Sequence, residues 1–293
     1  KIYWIIRDSA SQRSVTYYAA NLVPVIMHVA SSDLKEGVIV FRSFCQTSQV
    51  DLYLFIKDAR AEDIFYLDSV KLSQISPKEA CPKPKLAQNE KIIASLASIP
   101  QRENLLRDTL RSLYCQVDEI RVFLNGYSSV PPFLVDPKVT VQKSQVWGDD
   151  GDAGKFFWAD DRSPGYRFIC DDDIVYPIDY VHRMIEKLRQ YDNKVVIGVH
   201  GILIKQPITN YYDQKYRHVL QCRNVNSQDY TCHALGTGAV AYHVPSVSIN
   251  RYNFQCRNMA DIWLAKKAQE DHVPLLCIAR PHNWVMTQDI QCE

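Results

Sequence analysis

Apolar positions change rhythm once along this chain. From Lys1 to about Leu72 they come in short β-branched and aromatic runs, among them "KIYWII", "SVTYYAA", "GVIVFRSF" and "VDLYLFIKD", separated by polar punctuation such as "RDSASQR" and "SSDLKEG". Closely spaced short strands of this kind predict an antiparallel sandwich. The proline- and lysine-rich "SQISPKEACPKPKLAQNE" that follows has little apolar content and reads as a linker.

From Lys91 the period alternates. "KIIASLAS" reads as a buried strand, and Leu105, Leu106, Leu110 and Leu113 share one face of the helix after it, with Pro100 suited to its first turn. "EIRVFLNG", "VTVQKS" and "YRFICDDD" are three further strands. Val181, Met184, Ile185 and Leu188 place "PIDYVHRMIEKLRQY" in a helix, and "KVVIGVHGILI" is one more strand. Such alternation predicts an α/β fold with a mostly parallel sheet covered by helices. The expected division is a β-sandwich over 1–76, truncated at its start, a linker over 77–90 and an α/β domain over 91–293. Ligands of these sheets bind beyond the carboxyl ends of the strands. "SIPQR", "NG" and "DDD" stand at three such ends and are expected to converge on one cleft.

Composition narrows the function classes. A net charge of +1 argues against a bulk polyanion binder and leaves nucleic acid aside as a partner. The apolar runs fall short of a membrane span, and no signal-peptide pattern opens the chain. Nine cysteines are scattered without a C-x-x-C pair. A zinc site is therefore not expected, and reduced, buried thiols in a cytosolic protein are.

The stretch "GYRFICDDDIVYP" carries the sharpest chemistry. Neighbouring carboxylates raise one another's pKa, so Asp171, Asp172 and Asp173 call either for full solvation at a strand-to-helix turn or for a cation among them. One Asp would suffice to cap the next helix; three in series favour a hard divalent ion, Mn²⁺ or Mg²⁺. Alternation along an extended segment would turn Asp171 and Asp173 to one side. "GDDGDAGKFFWADD" fails the Walker pattern at Phe156. It is either a surface loop or, with Asp152 and Lys155, a nucleotide-facing segment. Gly236 and Gly238 allow close backbone approach, to a ligand or within a tight bend. Asp261 stands near a helix start, where it suits the dipole or aims into the cleft. Arg280 is a candidate phosphate clamp, and His282 is a candidate metal ligand or a packing residue.

Together "SIPQR", "QVDEIRVFLNG", "DAGKF", "DDDIVYPIDYV", "IGVHG", "LGTGAVA", "ADIWLA" and "RPHNW" resemble, in order, nucleotide-sugar glycosyltransferases of the GT-A type, in particular bacterial α-N-acetylglucosaminyltransferases of heparosan-type capsules. The resemblance covers about Lys91 to Thr287 and extends more distantly to animal exostosin-like transferases. It implies a UDP-sugar donor, a growing polysaccharide as acceptor, a partner glycosyltransferase, and work at the inner face of a membrane. Ser98, Arg102 and Asn125 would line a uridine pocket, and Asp152 and Lys155 would hold the nucleotide end. Asp171 and Asp172 would touch ribose and sugar hydroxyls, and Asp173 the metal. Asp261 would contact the transferred sugar and acceptor, and Arg280 the diphosphate. The N-terminal strands resemble, weakly, a jelly-roll carbohydrate-binding module. The rivals are a non-catalytic carbohydrate-binding protein and a nucleotidyltransferase, although "SLASIPQR" lacks the glycine loop of the latter.

Overall fold

The computed structural model describes strands at 2–8, 14–17 and 50–56, then residues 83–288 apart from 208, 211 and 212. The chain divides into two units, Lys1–Ala80 and Cys81–Glu293. In the first, β1 (Ile2–Asp8), β2 (Ser14–Tyr17) and β3 (Val50–Ile56) form an antiparallel sheet in the order β2-β1-β3. Trp4 stands opposite Tyr17 on one side and Leu54 on the other. The other expected strands of a sandwich, and the first part of the expected linker, lie outside the described residues.

The second unit is α/β. Its main strands are β4 (Lys91–Ser98), β5 (Glu119–Leu124), β6 (Val139–Lys143) and β7 (Gly165–Asp171), with a short β8 (Ile174–Val175) after the last. Next come β9 (Val196–Gly198), β10 (Gly201–Ile204), β11 (Arg217–Leu220), β12 (Tyr230–Cys232), β13 (Ala234–Leu235), β14 (Ala239–Val244), β15 (Leu275–Cys277) and β16 (Met286–Thr287). Eight of them make one sheet in the order β12-β15-β9-β14-β7-β4-β5-β6. The β7-β4-β5-β6 half is parallel throughout; β14 and β12 run against their neighbours. The sheet is therefore mixed but mostly parallel, as the strand–helix alternation predicts.

Four helices accompany it: α1 (Glu103–Leu113), the single turn α2 (Ser144–Trp147), α3 (Tyr180–Gln190) and α4 (Ala260–Glu270). Strand residues alternate between faces, and two cores follow from that. Ile92, Ala94, Leu96, Phe168 and Cys170 pack with Leu106, Leu110 and Leu113 of α1 and Val181, Met184 and Leu188 of α3. Ile169, Val240 and Tyr242 look the other way, toward Leu264 and Ala268 of α4. On α1 the buried stripe takes Thr109 in place of the expected Leu105, because the Thr109 hydroxyl serves the carbonyls of Asp172 and Ile174 at 2.9 and 2.8 Å. None of the three aspartates caps α3, which opens at Tyr180 with Asp179 before it.

Chain order fixes where a ligand can sit. From β4 the sheet grows outward through β5 and β6, and the chain then returns to place β7 on the opposite side of β4. That reversal is a topological switch point, and the crevice opens beyond the carboxyl ends of the two flanking strands. Ala97 of β4 stands beside Asp171 of β7 at that edge.

Two findings were not anticipated. Cys170, Cys232 and Cys277 are free and buried, but Cys115 is disulfide-bonded. Disulfides persist mainly in oxidising compartments, so cysteine usage does not place this chain in the cytosol. The other finding is an ionic cluster inside the parallel half. Arg121 bonds Glu119 and Asp161, each at 2.7 Å, with Arg167 3.6 Å from Asp161. Burial works against the charge on Asp161, yet the Ser163 N–H, at 2.9 Å, and Arg121 hold its pKa down to about 2. A depressed carboxyl stabilises the fold above its unfolded value of 3.8, and that contribution is lost as pH falls through about 2. Asp161→Asn is therefore expected to lower the melting temperature at pH 6 and to flatten the fall in stability between pH 4 and 2, as read by thermal denaturation across that range.

Candidate active site at the strand ends

Strand β7 ends on Asp171, a turn carries Asp172 and Asp173, and β8 resumes with Ile174. The segment is not extended through the aspartates, so the expected sharing of one side by Asp171 and Asp173 gives way to a turn in which the middle carboxylate is the most buried: the Asp172 side chain is 4% exposed, against 40% for Asp171 and 22% for Asp173. Two cations answer the three charges. Arg102, just before α1, reaches Asp172 Oδ1 at 3.0 Å and Asp173 Oδ2 at 3.3 Å through one nitrogen. Lys155 reaches Asp171 Oδ1 at 2.5 Å from the 3₁₀ turn Gly151–Phe156. Burial opposes the charge on Lys155, but the carboxylates of Asp171, Asp261 and Asp152 outweigh it and raise its pKa. Burial raises Asp172 and Asp173, and the Asp171 charge adds to it at Asp173. The turn is clamped from behind, where Thr109 holds two of its carbonyls, Gln288 N–H donates to Asp173 O at 2.7 Å, and β16 pairs with β8.

The remaining residues are tied together in smaller groups. Ser98, the last residue of β4, is buried and accepts the Asn125 N–H on its carbonyl at 2.8 Å. Asn125 Nδ2 donates to Gly151 O at 2.9 Å. Asp152 Oδ2 accepts the Ala260 N–H at 3.2 Å, at the amino end of α4, and burial raises its pKa. Gly238 O accepts the Asp171 N–H at 3.0 Å, and a Cβ at Gly238 would land on the Asp171 carboxylate. Gly236 donates to His200 O at 3.0 Å, with the His200 ring packed over it. Between those glycines, Thr237 gives its N–H and its hydroxyl to Asp261 Oδ1 at 2.8 and 2.7 Å. The two glycines, the carboxylate at the start of α4 and the aspartate turn thus form one wall.

No family model matches the chain, and no curated protein matches it.

Three acceptor atoms in this crevice are buried without a partner: Asn125 Oδ1, Asp152 Oδ1 and Asp172 Oδ2. Buried polar atoms are rarely left so, and each is an oxygen that would take a donor or a cation. That donor set, all oxygen with Asp171 and Asp173 beside it, fits a hard divalent ion, which commonly takes one or two carboxylates and fills its shell with phosphate and water. Among the described residues no three His, Cys, Asp or Glu side chains are already arranged around a common ion position.

Two candidates stand elsewhere. His282 is exposed, in the turn after β15. Arg280 is buried, and all five of its N–H directions are occupied within the chain, by Cys222 O, Ile278 O, Gln221 O, Leu220 O and the Cys277 sulfur. A diphosphate would have to displace those bonds. Sequence reasoning missed His200 as a site residue. Burial lowers its pKa against the pull of Asp261, and its ring lines a hollow of about 720 Å³ with Arg217 and Gln221. The hollow does not include the aspartates and meets the site only at His200.

Proposed function

We propose that the second unit is a metal-dependent glycosyltransferase domain of the GT-A type, moving N-acetylglucosamine from its UDP donor to a growing polysaccharide with retention. One observation carries the reading. At the topological switch point a charge-paired aspartate turn carries one buried oxygen without a partner, on Asp172, and Asn125 and Asp152 carry two more, which suits a ligand rich in N–H, O–H and phosphate groups. Asn125 and Asp152 offer acceptors to a nucleobase or ribose, and Asp172 to a hydroxyl. Asp173, with Asp171 beside it, would hold a divalent ion, which supplies positive charge to the departing diphosphate.

The chain's own residues do the rest. Lys155 and Arg102 pair with the three carboxylates and add positive charge where the β-phosphate gains negative charge. Asp261, fixed by Thr237, is placed to orient an acceptor hydroxyl and to steady the cationic sugar. Among the described residues no helix is long and apolar enough to cross a membrane; a peripheral site of action and a partner transferase belong to the same proposal.

The direct test measures free UDP from a panel of UDP-sugars with manganese. UDP-N-acetylglucosamine is expected to turn over, and a chelator to stop it. Asp173→Ala should lower turnover at least about a hundredfold, with an unchanged melting profile because Arg102 keeps Asp172. Turnover that survives both chelation and this substitution rejects the reading. Glycan binding without any response to UDP would instead leave a carbohydrate-binding protein.

A further inference from the structure

Two loops beside the aspartates leave large apolar side chains in water. One runs from α2 through Gly148 to the 3₁₀ turn that carries Lys155; the other joins Asn250 to α4. They are tied by Arg251 to Asp150 at 3.2 Å, Arg257 to Asp149 at 2.7 Å and Asn258 Oδ1 to the Asp152 N–H at 3.3 Å. On the resulting rim Trp147 is 49% exposed, Tyr252 78% and Met259 45%.

The Trp147 side chain and the backbone around Tyr252 are held in place. Trp147 packs edge-on against Phe157 at 5.2 Å, and its Nε1–H donates to Gln142 Oε1 at 3.0 Å. Arg251 lies 4.1 Å from the centre of Phe157 and 5.7 Å from that of Trp147. Tyr252 sits in a 3₁₀ turn fixed by a capping box between Asn250 and Asn253. The rim ends at the chemistry: Met259 directly precedes Ala260, whose N–H meets Asp152, and then Asp261.

The geometry points to this rim as the platform that carries the acceptor saccharide, an inference that rests on the transferase reading. A sugar ring has an apolar C–H face and a hydroxyl edge. Rigid aromatic faces alternating with arginine and aspartate groups match both. The charges on the rim are balanced, two arginines against two aspartates, which does not favour an anionic lipid surface, for which a basic cluster is expected.

The test uses the full chain and a neutral hexasaccharide of N-acetylglucosamine. Trp147→Ala and Tyr252→Ala are each expected to raise the acceptor KM about tenfold, as for one lost stacking contact, with the donor KM unchanged. Trp147→Phe should keep most of the affinity. Tyr252→Ala guards against misfolding, since its side chain is mostly in water. Saturation-transfer NMR with the hexasaccharide alone should show contact with the protein that weakens in both variants. Transfer with an unaltered acceptor KM overturns the platform and leaves the transferase reading intact. Saccharide contact that depends on Trp147 without any UDP release keeps the platform and removes the transferase. Loss of sedimentation with phosphatidylglycerol vesicles in Trp147→Ala, with saccharide binding untouched, overturns the platform in favour of a membrane contact.

Discussion

Asp171→Ala is expected to remove about 3 kcal/mol of stability in a urea titration, because it strands a charge in the interior. Lys155 is 3% exposed and its ammonium rests on Asp171 at 2.5 Å. Asp152 and Asp261 still act on that ammonium from nearby, which keeps the loss at the low end for a broken buried pair. The pH dependence gives the sharper readout. In the native chain burial opposes the charged lysine, but the carboxylates raise its pKa above 10.5. The pair's contribution is thus fully present below 10.5 and is lost as pH rises through the higher folded value. Without Asp171 only Asp261 and Asp152 oppose burial, so the rise in the Lys155 pKa shrinks and the variant has less stability to lose as pH rises above 10.5. Asp171→Ala with Lys155→Met should recover most of the loss, since neither charge then remains. Parallel stability curves for the native chain and the single variant would sink the account.

The parts of this site that could be read along the chain are those fixed by strand periodicity. β4, β5 and β7 fall where their apolar runs lie, and a strand's carboxyl end follows from its direction, so Ser98, Asn125 and Asp171 could be sent to one edge before any coordinates. The burial of Asp172 does not follow from that period, because the strand ends at Asp171 and a turn carries the next two aspartates. What could not be read depends on contacts between distant segments. "KVVIGVHGILI" looks like one strand but is divided between two sheets, with Gly198 in the large one and Gly201 paired to Leu220 and Leu235 in the small one. The break puts His200 beside Gly236. Arg167 and Arg121 sit inside runs that otherwise read as core, and Asp161, brought alongside by the fold, joins Glu119 and Ser163 in making their burial tolerable.

Arginine and lysine were the hardest residues to place from sequence, for a physical reason. Each has a long stem and a head that goes wherever charge is offered. Arg280, read as a phosphate clamp, spends its fork on four carbonyls and a sulfur near β15. Arg102, read as part of a base pocket, spans two of the aspartates. In that position it would compete with a divalent ion for Asp173.

Asp261→Asn is expected to lower transfer about a hundredfold to a thousandfold while UDP affinity stays as it is. The substitution separates charge from scaffold. Asp261 Oδ1 receives both Thr237 donors, and an asparagine oxygen can accept the same pair, so the turn between Gly236 and Gly238 should hold its shape. Asp261→Ala takes the acceptor away as well. It leaves the buried Thr237 N–H and hydroxyl unpaired, which costs about 1–3 kcal/mol and loosens the wall beside Asp171. If Asp261 acts only as a scaffold, asparagine will be nearly as active as the native residue and alanine will not. If its charge steadies the sugar cation and orients the acceptor, both variants fail in catalysis and only alanine loses stability. His200 gives a readout that needs no turnover. Burial lowers its pKa and the Asp261 carboxylate opposes that lowering. In Asp261→Asn the opposition is gone, and the imidazole should titrate at a still lower pH by NMR, even in a protein with no donor or acceptor bound.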